Sequence, residues 1–576
     1  MAAAVPALCS SMPLSSPIGS GQTFKEPSGG PDHAAAARAF NLTRPINKLP
    51  VEILAKVFLL LQDRHARVHY SRWHYVVFVC KHWCEVAYDY RTLWTRIYAH
   101  EEAGLPVFEH FLTRSDGIRS LDIKIKLPHT TPEPYIDLLA HRLFDVRSLD
   151  LEPVLPNTAN IVLSLLEGPM PMLESLRLQC APEASCPDED AGYNDSELDE
   201  ILWLPLVPDS LPRLRTLSLT IASLPSIPVV LPTLRELYLS QCTLMDLSMA
   251  EFLAFITACP GLEELHICRF HPGDIASTLW QPPSKAPIML PSSLKNIYLE
   301  GYCDITARML THFAVSPKTN LNLTTLGSYA LAWTFPGRRG DLSLCIPPAE
   351  LRTHFDIFDR IDVVRVNHGR YSYSIDARAG NQHLKLSAFI DVREWEQYHP
   401  DIPQDIADLF RNAPVVEFTI SMLCQRRIKS EGWETILGTL PRLKRLAVIS
   451  QAQGSRELPL TDPRLSFFME LADRGEDGLV RCPELDLLAI NPVDPDLDLD
   501  LRVRAVECLK IRMTRGKRLP RLLISSHFPM IWSGGKIEGP VPDDEERIET
   551  FKEGFRPLVG AVSSHGRGDL FSGWEN

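Results

Sequence analysis

Apolar positions in the first hundred residues follow the spacing of a helix. One run recurs at i, i+3 and i+4, as on a single helical face: Ile53, Leu54, Val57, Phe58 and Leu61. Leu49-Pro50 comes just before this run, and Glu52 falls in its first turn, where proline is tolerated and an acidic side chain favours the helix dipole. The pattern predicts a helix that begins next to Pro50.

Two further short helices are predicted before residue 100. The second carries Val79, Cys80, Trp83, Val86 and Ala87, and the third ends at Leu93, Trp94 and Ile97. Three short helices in about 55 residues enclose only a small core, and small cores are marginally stable alone. We therefore expect this module to gain stability by burying an apolar face against a partner.

From about residue 105 the pattern changes to a recurring L-x-x-L-x-L unit, often entered through a proline. Its copies are centred on Leu121, Leu149, Leu176, Leu217, Leu237, Leu265, Ile297, Val364, Phe418, Leu446 and Leu488. Leu121 to Leu149 is 28 residues and Leu149 to Leu176 is 27, within the roughly 20–29-residue period of leucine-rich repeats. Helical patterns fall between copies at residues 249–258 and 402–410. This spacing predicts one strand and one helix per turn, stacked in parallel.

The regular spacing does not cover the whole region. It is interrupted between Leu176 and Leu217 and is poor from 305 to 400, so an ordinary α/β domain with coincidental spacing stays open as an alternative. A last helix is predicted over 501–513 and a last strand over 521–524. The predicted organisation is a disordered segment 1–40, a helical module 41–100, a repeat array 105–527 and a flexible tail 528–576.

Composition and net charge argue against several classes of function for this chain. The 576 residues carry a net charge of −13, which argues against bulk binding to nucleic acid or to an anionic membrane surface. No apolar run has the length of a membrane-spanning helix, and we expect no secretory signal or transit peptide. Thirteen cysteines without regular spacing indicate reduced thiols, and hence a cytoplasmic or nuclear protein or both.

We find no pattern that predicts catalysis, a metal site or a cofactor. Phosphate-binding loops, dinucleotide fingerprints, zinc-protease motifs and nucleophile elbows are all missing from the sequence. The acidic run 494–500 lacks the glycine and the bidentate glutamate of a calcium loop. An acidic stretch at 183–200 and a basic segment at 502–521 are interpreted as solvated surfaces, with docking of charged partners as the alternative. The chain is predicted not to be an enzyme.

Residues 49–97 resemble the F-box family, through LPVEIL..VF..L, then VCKHWCEVA, then LW..I. The resemblance implies that this module binds the small adaptor subunit of an SCF ubiquitin ligase, and through it a cullin scaffold. The matching contact positions are Leu49, Pro50, Ile53, Leu54, Val57, Phe58, Val79, Cys80 and Trp83. The alternative is a plain helical subdomain in which these side chains form an internal core.

The remainder resembles the irregular leucine-rich-repeat domains that are common among F-box proteins, including fungal ones. The implied fold class is α + α/β, a small three-helix F-box followed by an irregular leucine-rich-repeat solenoid. In such an array the residue between the last two leucines of each unit faces away from the core. In three turns that residue is Tyr238, His266 or Tyr298. These exposed aromatic side chains are the predicted substrate-binding site. The alternative is that this face of the array merely happens to be aromatic at these turns and has no binding role.

The sequence thus predicts a substrate-recognition subunit of an SCF-type ubiquitin ligase, which captures an unidentified target protein through its repeats. A non-catalytic leucine-rich-repeat scaffold, with the F-box-like helices acting only as a cap, is the alternative. A hydrolase built on an α/β domain has no nucleophile–base pair in its favour.

Overall fold

A computed structural model of the chain separates into two compact units, Met1–Trp94 and Thr95–Asn576. The structure describes these residues: 31–66, 72–99, 104–127, 132–154, 156–180, 206–220, 230–241, 249–269, 287–326, 342–347, 352, 354–369, 372–389, 400–423, 428–451, 463–473, 480–490, 499–525, 532–533, 536–537, 549 and 552–565. The predicted acidic insertion at 183–200 lies outside them, as do residues 494–498 of the second acidic run.

The first unit is helical. Its α-helices are α1 (Pro31–Thr43), α2 (Val51–Ala66) and α3 (Lys81–Asp89). Short 3-10 helices occupy Pro45–Lys48, Arg72–Phe78 and Arg91–Trp94. Helix α2 begins directly after Pro50 with Glu52 in its first turn, as its sequence predicts.

A small aromatic and aliphatic core holds these helices together. Leu54 and Phe58 of α2 are fully buried, and the ring of Phe58 lies 5.2 Å from that of Trp83. Trp73 meets Trp94 edge to face at 5.3 Å. The Trp94 indole donates a hydrogen bond of 2.8 Å to the carbonyl oxygen of Ala87 at the end of α3. The core therefore rests on a few large side chains, each with defined partners.

Two predictions for this part of the chain need correction. The segment predicted to be disordered contains helix α1, which includes a run of four alanines. Alanine has the highest intrinsic helix propensity of the residue types. Residues 1–30 lie outside the described part. The third predicted helix is shorter than expected, because it ends at Trp94. Ile97 belongs instead to a strand of the second unit.

The second unit is built on a large sheet. Its strands are β1 (Arg96–Ala99), β2 (Leu121–Lys126), β3 (Val146–Val154), β4 (Ser175–Cys180), β5 (Thr216–Thr220), β6 (Glu236–Ser240), β7 (Glu264–Cys268), β8 (Ile288–Met289), β9 (Asn296–Gly301), β10 (Phe313–Ala314), β11 (Asn320–Leu326), β12 (Val363–His368), β13 (Ser372–Ala379), β14 (Gln382–Phe389), β15 (Glu417–Leu423), β16 (Arg445–Gln451), β17 (Leu487–Ile490), β18 (Leu519–Ser525), β19 (Trp532–Ser533), β20 (Lys536–Ile537) and β21 (Val559–His565). Within the described residues, seventeen of these strands form one sheet, while β8 pairs with β10 and β19 with β20.

Helices alternate with many of these strands. They are α4 (Gly104–Arg114), α5 (Glu133–Ala140), α6 (Pro156–Leu166), α7 (Met249–Thr257), α8 (Cys303–Thr311), α9 (Ile402–Phe410), α10 (Ser430–Thr439), α11 (Pro463–Ala472) and α12 (Leu499–Thr514). The helices predicted over 249–258, 402–410 and 501–513 are confirmed as α7, α9 and α12.

Strand pairing runs in chain order along most of the sheet. From β1 to β7, then through β9 to β11, each strand pairs in parallel with the next. The second stretch, β12, β15, β16, β17, β18 and β21, is also parallel. Every predicted L-x-x-L-x-L copy coincides with one of these strands. The repeat interpretation itself stays a prediction, with which the long parallel sheet is compatible.

Alternation along the strands gives the sheet two different faces. In β6, Leu237 and Leu239 are fully buried while Glu236, Tyr238 and Ser240 are partly exposed. The same pattern holds in β7 and β9. Because side chains alternate between the faces of a strand, the leucines form the core and the intervening residues form a second, polar face.

An antiparallel insertion explains why periodicity is lost between 305 and 400. Strands β12, β13 and β14 pair antiparallel in succession, and β14 then pairs in parallel with β11. Gly380 and Asn381 make the two-residue turn between β13 and β14, and Gly380 has a φ of 61°, which suits glycine in such a turn. A meander of this kind has no intervening helices and so lacks the repeat spacing.

The C-terminal prediction is also corrected. Within the segment predicted to be a flexible tail, Val559–His565 form β21, which pairs in parallel with β18. Phe555, Leu558 and Val559 are buried. These apolar residues were too few to produce a recognisable pattern on a background rich in glycine and charge, which is why the strand was not predicted.

The basic segment 502–521 also differs from a uniformly solvated face. Arg512 is fully buried and donates to the carbonyl oxygens of Leu471, Arg481 and Cys482 at 2.8–3.1 Å. Arg515 donates to the carbonyl oxygen of Ala472 at 2.6 Å. These two arginines thus fasten α12 to the C-terminal end of α11 and to the segment at Arg481 and Cys482, which leaves fewer cations for a charged partner. No helix among the described residues is long and apolar enough to cross a membrane.

Candidate functional site

The predicted adaptor-binding residues of the first unit fall into three groups: exposed, partly buried and fully buried. Leu49, Ile53 and Val79 expose 36%, 43% and 56% of their surface, and Pro50 is exposed as well. Val57, Cys80 and Trp83 are partly buried. Leu54 and Phe58 are fully buried, so in the free chain they support the exposed surface from beneath. Contact of these nine residues with an adaptor stays a prediction.

Helix α2 carries two apolar stripes. The first, with Leu54 and Phe58, faces the core of the unit. The second consists of Ile53, Val57 and Leu60, at the i, i+4 and i+7 positions of an adjacent face. Leu60 is 67% exposed, and sequence reasoning assigned it no role because a single apolar run does not show which stripe is buried. A helix that is apolar beyond its core face presents side chains for an intermolecular contact.

The chain before α2 is fastened to α3 through Asn47. The Trp83 indole donates to Oδ1 of Asn47 at 2.5 Å, and Nδ2 of Asn47 donates to the carbonyl oxygen of Asn41 at 2.7 Å. This fixes the backbone next to Leu49. Asn47 was also missed by sequence reasoning, because a single asparagine before a helix gives no signal of a partner 36 residues away.

Comparison with known families gives a match for this part of the chain. A family model described as F-box-like matches residues 46–100. Residues 46–100 form an F-box-like domain. The match includes all nine predicted contact positions and the Asn47 anchor, and it confirms the F-box resemblance for this part of the chain.

Comparisons of the whole chain add less. No curated protein matches it. Among solved structures, a chain in the crystal structure of the Rad7 and Elc1 complex in yeast aligns over 76% of this chain and 96% of its own length, with 11% sequence identity and a TM-score of 0.28. A TM-score of this size does not indicate a shared fold.

In the second unit, the three residues predicted as a substrate-binding site stand side by side on the polar face of the sheet. Tyr238 is in register with His266, and His266 with Tyr298. The Tyr238 and His266 ring centroids are 4.1 Å apart with an interplanar angle of 23°, and those of His266 and Tyr298 are 4.0 Å apart at 12°. The structure thus joins the three rings into one continuous stack, which we call the aromatic column. Their role in substrate binding stays a prediction.

Carboxylates lie beside the aromatic column. Glu264, in β7, accepts from the Tyr238 hydroxyl at 3.5 Å and from Nδ2 of Asn296 at 3.3 Å, and its Oε2 is 3.3 Å from Nε2 of His266. Burial, together with the charges of Glu236 and Glu264, raises the pKa of Tyr238 to about 12. Burial lowers the pKa of His266, although Glu264 opposes that change. At neutral pH the column is therefore an uncharged stack bordered by negative charge.

Two cysteines in this part of the second unit are poor nucleophiles. Cys268 lies two residues beyond His266 on the same strand, and burial raises its pKa to about 11; Cys259 behaves in the same way. Thiols with such pKa values stay protonated at neutral pH, and the protonated thiol does not act as a nucleophile. The described geometry therefore offers binding contacts at the column and no activated thiol there.

Proposed function

We propose that the chain is a substrate-recognition subunit of an SCF-type E3 ubiquitin ligase. Its F-box-like domain would bind the adaptor protein, and through the adaptor a cullin scaffold. The observation that carries this proposal is the F-box-like domain at residues 46–100, in which Leu49, Ile53 and Val79 leave apolar surface open to solvent.

The exposed apolar side chains give this contact a physical basis. Fully burying a leucine, isoleucine or valine is worth about 1.5–3 kcal/mol relative to leaving it exposed. Leu49, Ile53 and Leu60 together with Val79 would thus contribute several kcal/mol on docking, although part of this is lost to immobilisation of the partners. Leu54 and Phe58 keep the stripe in place from the core side.

In this proposal the second unit is an irregular leucine-rich-repeat solenoid that holds the target protein. The long parallel sheet and the coincidence of each L-x-x-L-x-L copy with a strand support it. Its contribution to ubiquitin transfer is proximity, because a lysine held near the charged conjugating enzyme reacts at a raised effective concentration. The chain supplies no catalytic residue of its own.

Co-purification with the adaptor tests the proposal. The full chain is co-expressed with an SCF adaptor, beside the variant Leu49→Ala/Pro50→Ala/Ile53→Ala. Phe144→Ala/Met469→Ala serves as a matched control, because both side chains are exposed and lie in the second unit. The proposal predicts a stable complex for the wild type and the control and none for the triple variant.

The opposite result has a definite meaning. If the wild type folds and yet forms no complex with the adaptor, the F-box-like helices act as a cap. The chain is then a non-catalytic interaction scaffold. This alternative has a physical basis, because the ends of a solenoid need capping units.

A further inference from the structure

We propose that the aromatic column, with Glu236 and Glu264 beside it, binds a lysine or arginine side chain of an extended peptide segment. This inference rests on the proposed function and names the class of substrate that the second unit would capture. The peptide's aliphatic stem would lie along the rings of Tyr238, His266 and Tyr298, and its cationic head would reach the two carboxylates.

The spacing on the strands suits such a side chain. Glu236 and Glu264 precede Tyr238 and His266 by two residues on the same strand faces, which is about 6.6 Å at the rise of a β-strand. Lysine and arginine carry flexible aliphatic stems that pack on apolar surface while the charged end stays at a polar site. His266 is stacked between the two tyrosines, so the ring faces that the column leaves available to a cation are the outer faces of Tyr238 and Tyr298.

Glu236 and Glu264 form a pair of like charges on neighbouring strands. Glu236 is in register with Glu264 on the neighbouring strand, and like charges directly opposite each other destabilise a sheet. Glu236 accepts from the hydroxyl of Thr216 at 3.2 Å, and Glu264 from the uncharged donors described above. Among the residues that the structure describes, no lysine or arginine pairs with either carboxylate. A bound cation would relieve this repulsion.

Nearby cations are engaged elsewhere. Arg235 and Lys295 both pair with Glu263, which precedes Glu264. Arg269 lies 3.5 Å from Glu300, at the far end of the column. Arg177 lies two strands away, in register with Asp150. Arg235, Lys295 and Arg269 are thus paired with other acids and Arg177 is two strands from Glu236, so the surface at Glu236 and Glu264 keeps its negative charge.

A peptide library tests the substrate class directly. The full chain in complex with its adaptor, or alone, is incubated with immobilised nonapeptides that carry one fixed central residue and random flanking residues. We expect selection of arginine and lysine over every other residue. A fluorescein-labelled selected peptide then gives the dissociation constant, beside the same peptide with citrulline in place of arginine, which keeps the shape and removes the charge.

Three variants separate the two parts of the site. We expect two double variants, Glu236→Gln/Glu264→Gln and Tyr238→Leu/Tyr298→Leu, each to raise the dissociation constant of the arginine peptide at least about tenfold. The control Asp137→Asn/Glu484→Gln removes the same amount of charge at exposed positions elsewhere and should change affinity by less than about twofold. Retained adaptor binding and an unchanged thermal transition show that each variant is folded.

The outcomes are distinct. Four results would each overturn this inference and leave the adaptor contact intact. They are selection of acidic, phosphorylated or apolar residues, equal binding of the citrulline peptide, no measurable peptide binding, and wild-type affinity in the carboxylate variant or the tyrosine variant. Loss of the adaptor complex in the wild type would instead overturn the proposed function, whatever the peptide result.

Discussion

The indole nitrogen of Trp83 donates a hydrogen bond to Oδ1 of Asn47 across 2.5 Å, and so joins helix α3 to the turn that precedes α2. Leu49 follows Asn47 by two residues, and Pro50 follows it by three. The contact therefore fixes the backbone at the point where the exposed apolar surface begins, and it connects the packing of the first unit to its proposed binding function.

Removal of the Asn47 acceptor should loosen this region. We expect Asn47→Ala to lower the free energy of unfolding of the first unit by about 1–2 kcal/mol, because it leaves the half-buried Trp83 N–H without this partner. Asn47→Asp keeps the acceptor for Trp83 but loses the donor to the carbonyl oxygen of Asn41, so it should lose less stability than Asn47→Ala. Urea unfolding followed by tryptophan fluorescence makes the comparison. Equal loss in both variants would show that the hydrogen bond does not stabilise the unit.

The buried carboxylate of Asp405 should be among the most sensitive positions of the second unit. It accepts from the backbone N–H groups of Leu342 and Ser343, at 3.2 and 2.8 Å, and from the Tyr373 hydroxyl at 2.8 Å. We expect Tyr373→Phe to cost about 1–3 kcal/mol, since it removes one hydrogen-bond donor to a buried carboxyl group. Asp405→Ala should cost more, because it leaves two backbone donors unsatisfied as well.

Denaturant unfolding of the full chain measures these changes. Gln404→Ala, an exposed position on the same helix, is the control and should stay within about 0.5 kcal/mol of the wild type. If Asp405→Ala were as stable as this control, the network would have no role in joining α9 to the antiparallel insertion.

The C-terminal strand gives a test of the corrected boundary. A Cβ added at Gly560 would lie 2.5 Å from the carbonyl oxygen of Pro520 in β18, closer than real contacts allow. We expect Gly560→Ala to separate β21 from β18 and to increase amide hydrogen exchange across residues 559–565 at least about tenfold. Ser563→Ala, on the same strand, should leave exchange unchanged. Rapid exchange of these residues already in the wild type would restore the interpretation as a flexible tail.

The pKa of His266 determines how the aromatic column responds to acid. Because burial lowers this pKa from its ordinary value of 6.5, the folded chain binds fewer protons than the unfolded chain around that value. Stability contributed by neutral His266 is complete above pH 6.5 and is lost as the pH falls below 6.5 through the folded pKa. Imidazole titration by nuclear magnetic resonance, assigned with His266→Asn, should place its midpoint below 6.5. A midpoint above 6.5 would mean that the charge of Glu264 outweighs burial.

Local periodicity was sufficient to predict much of this fold. Strands centred on Leu237, Leu265 and Ile297 followed from the spacing of apolar residues, and so did the placement of Tyr238 and its neighbours on one face, because alternation is a property of each strand alone. The F-box-like helices followed from the 3.6-residue period of α2.

Features that depend on distant partners could not be predicted in this way. Strand β21 joins the sheet only because β18 offers a free edge, and the antiparallel insertion has no repeat of its own. Asn47 acts through Trp83, which is remote in sequence. Leu60 shows the same limit, since its exposure depends on which stripe of α2 the rest of the unit covers.

The affinity of the F-box-like domain for an SCF adaptor tests the central claim most directly. Isothermal titration calorimetry compares the wild type with Ile53→Asp, which places a charge in the exposed stripe, and with Phe144→Asp, which places one on an exposed position of the second unit. Our account predicts adaptor binding that Ile53→Asp weakens at least about a hundredfold, since it would bury an unpaired charge in an apolar interface, and that Phe144→Asp leaves unchanged. Equal affinity of the two variants, or no binding by a folded wild type, would contradict it.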